Sequence, residues 1–92
     1  MKIILKETFV DRLESQIDYL CTNSIESAIK FKDAILLAIE KLPQNPYMYR
    51  QSIYFNDPNI RDMVVAKCTI TYRIKDEVIE VFGFRKYQNT PL

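Results

Sequence analysis

The chain contains no histidine, one glycine and two cysteines. Without histidine there is no His-based metal site and no imidazole general base. A lone glycine, Gly83, argues against a glycine-rich phosphate loop. Cys21 and Cys68 have no C-x-x-C spacing, so they are expected to be reduced and packed rather than bridged or metal-bound. The N-terminal run MKIILKETF is too short in apolar residues for a signal peptide or a membrane span. A cytoplasmic protein with no membrane contact, no metal and no cofactor is expected. Internal repeats, low-complexity runs and linkers are also missing.

What is present describes a small folded domain. Ninety-two residues, 48 % apolar and 27 % charged, fit one unit spanning residues 1–92. A chain of this size buries about 60–65 % of its unfolded surface, so an apolar partner helix or a dimer contact matters to it. The net charge of +1 hides a small shift. Residues 1–43 hold six basic and seven acidic side chains, and residues 44–92 hold seven and five. The tilt is a weak pointer to a polyanion partner.

The chain is organised around residues 23–49. Asn23 is placed to cap a long helix, with Glu26 closing a capping box. Ala28, Phe31, Ile35, Ala38 and Leu42 recur at steps of three and four and share one face. Ile25, Ile29, Leu36 and Ile39 form a second apolar strip, which predicts burial on more than one side. Pro43 ends the helix and Pro46 fixes the exit as a turn. Before it, Lys2–Lys6 reads as a short strand. Thr8 is expected to cap a first helix, supported by Asp11, with Phe9, Leu13, Ile17 and Leu20 as its apolar face. The short connection Thr22 to Ser24 makes the two helices antiparallel neighbours.

Beyond Pro43 the period changes. Residues 47–57 carry four aromatics without a clean repeat and read as a loop with at most one short strand. Strands follow at Ile60–Lys67, Thr69–Ile74 and Val78–Phe84. With Asp76-Glu77 as the last turn, Ile74 faces Ile79, Tyr72 faces Val81, and Arg73 pairs with Glu80 on the outer side. The fold class is α+β, in the order β-α-α-β-β-β, with a helical hairpin packed on one face of a mainly antiparallel twisted sheet.

No Ser-His-Asp set or catalytic dyad is visible. The chemistry left to consider is basic and aromatic: Arg50, Arg61, Lys67, Arg73, Arg85, Lys86 and Tyr87 on the sheet half. Cations beside aromatics suit phosphate contact and base stacking. Composition alone favours the plainer reading, a solvated face with cross-strand pairing. Among the tyrosines, Tyr72 alternates inward and reads as core. Tyr19 packs along the first helix, and Tyr47, Tyr49 and Tyr54 cover the sheet edge. Tyr87, beyond the last strand, divides evenly between structure and function.

Three segments resemble the RelE/ParE superfamily of type II toxin–antitoxin toxins, and the ParE branch more than the RelE branch. The first is the hairpin, with Asp18-Tyr19 closing one helix and Leu42-x-x-Asn45-Pro46 closing the next. The second is Ile60-Arg61 with the strands TITYRIKDEVIEVFGF, and the third is the tail RKYQNTPL. The resemblance implies a small toxin neutralised by a cognate, ParD-like antitoxin, part of which folds on binding. Its target would be DNA gyrase in the ParE manner, or messenger RNA on the ribosome in the RelE manner.

The residues separate the two modes. RelE-like enzymes place an arginine three residues before the strand tyrosine; here that position is Thr69. In the tail, Tyr87 stands where the family has an arginine. The expectation is therefore a non-catalytic, gyrase-directed toxin, with Arg50, Arg61, Arg73, Arg85, Lys86 and Tyr87 on a target-binding or polyanion-binding surface. Were the chain a metal-independent nuclease, Arg61, Arg85, Lys86 and Tyr87 would surround the phosphate. A third alternative is a non-toxic, antitoxin-binding remnant of the fold. The antitoxin is expected on Ile25, Ile29, Leu36 and Ile39, leaving the lone toxin sticky or dimeric.

Overall fold

Two amphipathic helices and four strands form where the hydrophobic period changes from 3.6 to 2, and the computed structural model describes them over residues 1–86. The order is β1 (Lys2–Leu5), α1 (Glu7–Cys21), α2 (Ile25–Glu40), a 3-10 turn (Leu42–Gln44), β2 (Ile60–Val65), β3 (Cys68–Lys75) and β4 (Val78–Lys86). The sheet runs β1-β4-β3-β2. β1 lies parallel to β4, and the β2–β3 and β3–β4 pairs are antiparallel. The expected α+β hairpin-on-sheet architecture is the one observed. Tyr87 and the rest of the tail motif lie outside the described residues.

The helix starts differ from expectation. Thr8 lies inside α1, whose N-cap is Lys6 with no side-chain bond to the first turn. The chain arrives from β1 with Lys6 already extended and its N–H bonded to the Val81 carbonyl at 2.9 Å, so the sheet fixes the helix start. In α2 the cap is Ser24, not Asn23: its Oγ accepts from the Ser27 N–H at 3.2 Å. Asn23 is held in the preceding turn, its N–H bonded to the Leu20 carbonyl at 3.1 Å. Glu26 reaches forward to Lys30 at 3.2 Å, an exposed pair of small worth. α2 stops at Glu40, and Pro43 sits in the first turn of the 3-10 segment, where a missing N–H costs nothing.

The core forms between the hairpin and one sheet face. Phe9 and Leu13 of α1 and Ile35, Ile39 and Leu42 from α2 and its exit meet Met63, Ile70, Tyr72, Ile74, Ile79, Val81 and Phe84. Fully burying such a side chain contributes about 1.5–3 kcal/mol. Phe84 sits in the middle, with Phe9 and Phe31 at edge-to-face separations of 6.2 and 6.4 Å. α2 is not buried on two sides. Ile25, Ile29 and Leu36 face solvent, and Ile39 joins the core at 4 % exposure. Fourteen residues leave Ile39 about 40° short of Ile25 around the helix, on the Ile35 side.

The three β3–β4 pairs expected from alternation are present: Ile74 with Ile79, Tyr72 with Val81, Arg73 with Glu80. The β2–β3 turn falls elsewhere than expected. β2 ends at Val65, and Ala66 and Lys67 make the turn with φ of 51° and 64°, the left-handed pair that a two-residue hairpin needs. β4 then bulges. Thr71 pairs with Gly83 while Tyr72 pairs with Val81, leaving Phe82 unmatched. Gly83 is required there, because a Cβ would stand 2.9 Å from Thr71 Cβ.

Tyr72 ties the sheet to the loop after α2. It is fully buried, and its hydroxyl donates to the Pro46 carbonyl at 2.6 Å. Burial pushes the phenol well above its ordinary range; nearby Tyr49 adds to this and Arg61 opposes it.

Two outcomes follow from this packing. Gly83→Ala should destabilise the domain by about 1–3 kcal/mol, read as a lower urea midpoint, because Thr71 must move. Tyr72 stays neutral in the fold while the unfolded chain loses its phenolic proton near pH 10. Its contribution is therefore complete below about pH 10 and declines above it. Tyr72→Phe should lower the midpoint at neutral pH, by about 1 kcal/mol for the lost bond, and flatten the alkaline decline in urea titrations.

Candidate functional site

The basic residues fall into separate places because β-strand parity sends them to different faces. Arg61 lies opposite Tyr72, and Arg85 lies opposite Thr69. Three positions apart on β3, these partners point to opposite sides. Arg61 and Arg85 therefore do not share a cleft.

Arg61 organises the loop. Its Nε donates to the Pro58 carbonyl at 2.8 Å and its Nη1 to the Tyr49 carbonyl at 3.0 Å. Its guanidinium lies 5.0 Å from the Tyr47 ring centroid, and the Tyr47 hydroxyl donates to Asn59 Oδ1 at 2.7 Å. Arg50 is exposed, and its carbonyl accepts from the Asp62 N–H at 3.1 Å as the loop pairs along the edge of β2. This edge contact includes an antiparallel bridge from Gln51 to Arg61, the short strand-like piece expected in the loop. Tyr49 packs against the core.

On the outer sheet face, Arg73 donates to Glu80 Oε1 from Nε at 3.2 Å and from Nη2 at 2.8 Å. Lys6 Nζ approaches Glu80 Oε2 at 3.8 Å. The Arg73 hydrogen bond holds the Glu80 carboxyl below the usual range, and the positive charges of Arg73, Lys6 and Lys75 add to it.

Arg85 lies further along the same face. Its guanidinium stands 4.2 Å from the Tyr54 ring centroid, and its Nη2 lies 3.7 Å from Asp62 Oδ2. Asp62 is buried, and its other oxygen accepts from the Thr71 hydroxyl at 2.8 Å. This is a polar group inside the sheet that strand alternation alone does not reveal. The loop crosses above it, carrying Phe55 to Phe82 at 5.7 Å, edge to face.

Where β1 ends, the second half of β4 and the start of α1 leave a cleft of about 580 Å³, with Lys6, Arg12, Tyr54, Phe55, Phe82 and Arg85 in its lining. Of these, the sequence marks only Arg85 for a binding surface and reads Tyr54 as cover for the sheet edge. A neighbouring groove of about 520 Å³ runs along α1. There Lys86 Nζ stands 4.8 Å from the ring centroid of Tyr19, which is exposed.

The helix strip forms a different surface. Ile25, Ile29 and Leu36 are 68, 54 and 36 % exposed, with Leu37 beside them at 53 %. They extend over three turns of α2, about 16 Å. Ile39 is withdrawn into the core and does not contribute to it. Cys21 is exposed and Cys68 buried, and neither is in a disulfide. Among the described residues, no group of three or more His, Cys, Asp or Glu could hold a metal ion, and no helix is long and apolar enough to cross a membrane.

Comparison with known proteins places this geometry. The family model for the ParE toxin of the type II toxin–antitoxin system, parDE, matches residues 3–89. A solved structure described as the chromosomal ParDE TA system from P. aeruginosa superposes with a TM-score of 0.77 at 16 % identity, covering 96 % of this chain and 97 % of that one. At that identity the likeness is one of fold. No curated protein matches the sequence.

Proposed function

The chain belongs to the ParE toxin family of type II toxin–antitoxin systems, and from that premise we propose that it arrests growth by inhibiting DNA gyrase without cutting RNA. The observation that carries this reading over a nuclease is that Arg61 and Arg85, the arginines such a site would bring together, lie on opposite faces of the sheet. Metal-independent RNA cleavage needs an acid, a base and cations converging on one phosphate. Arg61 is engaged with two loop carbonyls on one side of the sheet, and Arg85 stands with Asp62 and Tyr54 on the other. Thr69 occupies the position where RelE-like enzymes carry an arginine. Exposed Arg50 and Lys86 remain available to a protein target, and Arg73 and Arg85 contribute through the donors their carboxylate partners leave free.

A cognate antitoxin would neutralise the toxin by laying the apolar face of a helix along Ile25, Ile29 and Leu36, with Leu37 at the margin. An amphipathic helix reads such a strip through residues three and four apart. In the lone toxin the same strip is the surface for self-association.

With purified gyrase, the toxin should block supercoiling or accumulate cleaved gyrase–DNA complexes. Normal supercoiling at saturating toxin would refute the proposal. The Ile25→Ser, Ile29→Ser double variant should weaken antitoxin binding about 100-fold, at about 1.4 kcal/mol for each anchoring side chain. Its urea midpoint should stay close to that of the parent, because both side chains are already exposed. Unchanged affinity by titration calorimetry would move the antitoxin to another surface.

A further inference from the structure

The cleft beside β4 collects positive charge from distant parts of the chain. Lys6 comes from the β1–α1 corner, Arg12 from α1 and Arg85 from β4, and all three line the same space. Among the described residues, each has a loose polar partner, and Arg85 also lies over the Tyr54 ring at 4.2 Å. Lys6 Nζ is 3.8 Å from Glu80 Oε2, Arg12 Nη1 is 3.5 Å from the Phe84 carbonyl oxygen, and Arg85 Nη2 is 3.7 Å from Asp62 Oδ2. Strong charge-assisted bonds span about 2.7–2.9 Å. Glu80 gives its close contact to Arg73 instead, at 2.8 Å, and a carbonyl leaves the charge of Arg12 whole. The three cations thus retain donors for an anion.

The same cleft is aromatic. Tyr54 is 64 % exposed and Phe55 42 % exposed, and Phe82 reaches the cleft because the bulge leaves it without a partner on β3. Arg85 covers part of Tyr54, and Phe55 meets Phe82 edge to face, but an acidic peptide would use the cations and leave the remaining exposed ring area unused. A nucleotide uses both, since every base has a π-face and every phosphate accepts several donors. A volume of about 580 Å³ lies within the range of small-ligand sites.

We propose that this cleft binds a nucleotide unit, its base stacked among Tyr54, Phe55 and Phe82 and its phosphate held by Lys6, Arg12 and Arg85. The site shares Arg85 with the surface proposed for gyrase but does not rest on that reading, and it can be tested without gyrase. The unit comes either from a single strand or from a free nucleotide.

The test is fluorescence anisotropy of a dye-labelled short oligothymidylate with the full chain, with thymidine monophosphate as competitor. Saturable binding is expected, weakened about tenfold or more by R12Q and by Y54A, the range of one stacking or phosphate contact. K67Q, which removes an equal charge on the β2–β3 turn, should leave it unchanged. One phosphate held by the three cations predicts a shallow log–log salt slope, about −0.7 on a single strand. R85Q strips Asp62 of its cation and could unfold the domain. R12Q and Y54A alter exposed side chains, and their melting by circular dichroism confirms a folded chain. Displacement by the mononucleotide at matching affinity assigns a free nucleotide, and displacement by strands alone assigns a strand; either result upholds the cleft. No saturable binding at millimolar probe, equal losses in K67Q and R12Q, or full binding by Y54A would each overturn it.

Discussion

The placement of charge and core along β4 depends on one irregularity, the bulge that leaves Phe82 without a partner on β3. Ile79 and Val81 face the helices, and strict alternation would send residue 83 after them and turn Phe84 outward. The extra residue resets the count. Phe84 turns into the core against Phe9 and Phe31, and Arg85 turns to the outer face beside Tyr54 and Asp62. Gly83 makes this geometry possible by letting Thr71 approach where a Cβ would collide. Thr71 in turn holds one oxygen of Asp62, and the other oxygen of Asp62 stands 3.7 Å from Arg85. A backbone detail at one glycine thereby reaches a guanidinium two residues along.

This dependence explains which parts of the molecule were legible in the sequence. Alternation is a local signal, and where nothing interrupts it the β3–β4 register follows from the residues themselves, down to the Arg73–Glu80 pair. The helix faces follow from period in the same way. The departures arise where tertiary contacts outweigh a local preference. Asn23 and Thr8 are good caps in isolation, yet the sheet sets the start of α1 and the turn bond to Leu20 occupies Asn23. The β2–β3 turn places Ala66 and Lys67 at positive φ with no Gly, Asn or Asp to announce it. The bulge did have a marker, since an isolated glycine inside a strand pattern often signals one.

The candidate surfaces were less legible than the fold. Residue counts located basic side chains on the C-terminal half, but pairing decides which of them act as free charge. Arg61, expected on a binding surface, spends two of its donors bracing the loop. Arg73 is engaged by Glu80, a cross-strand pair that the register did foretell. Lys6 and Arg12 drew no notice in the sequence because they lie in an N-terminal half that is slightly acidic overall. Only the parallel return of β1 onto β4 brings them to Arg85. Parallel pairing links residues more than seventy positions apart, and no window along the chain contains both ends of that contact.

Size accounts for the remaining surface. A domain of 92 residues has one core, and α2 can turn only one face toward it. The helix nevertheless carries apolar side chains around more than half its circumference, so Ile25, Ile29, Leu36 and Leu37 stay in water. Their exposure costs little in the folded domain, because they are exposed in the unfolded chain as well. The gain comes on association: a partner that covers them removes apolar area from water in the folded state alone, and so stabilises that state by mass action. The strip therefore adds almost nothing to the stability of the free domain and much to that of a complex. An antitoxin seated there would protect its toxin from unfolding while keeping it inactive, and losing the antitoxin would release a folded toxin held by its own smaller core.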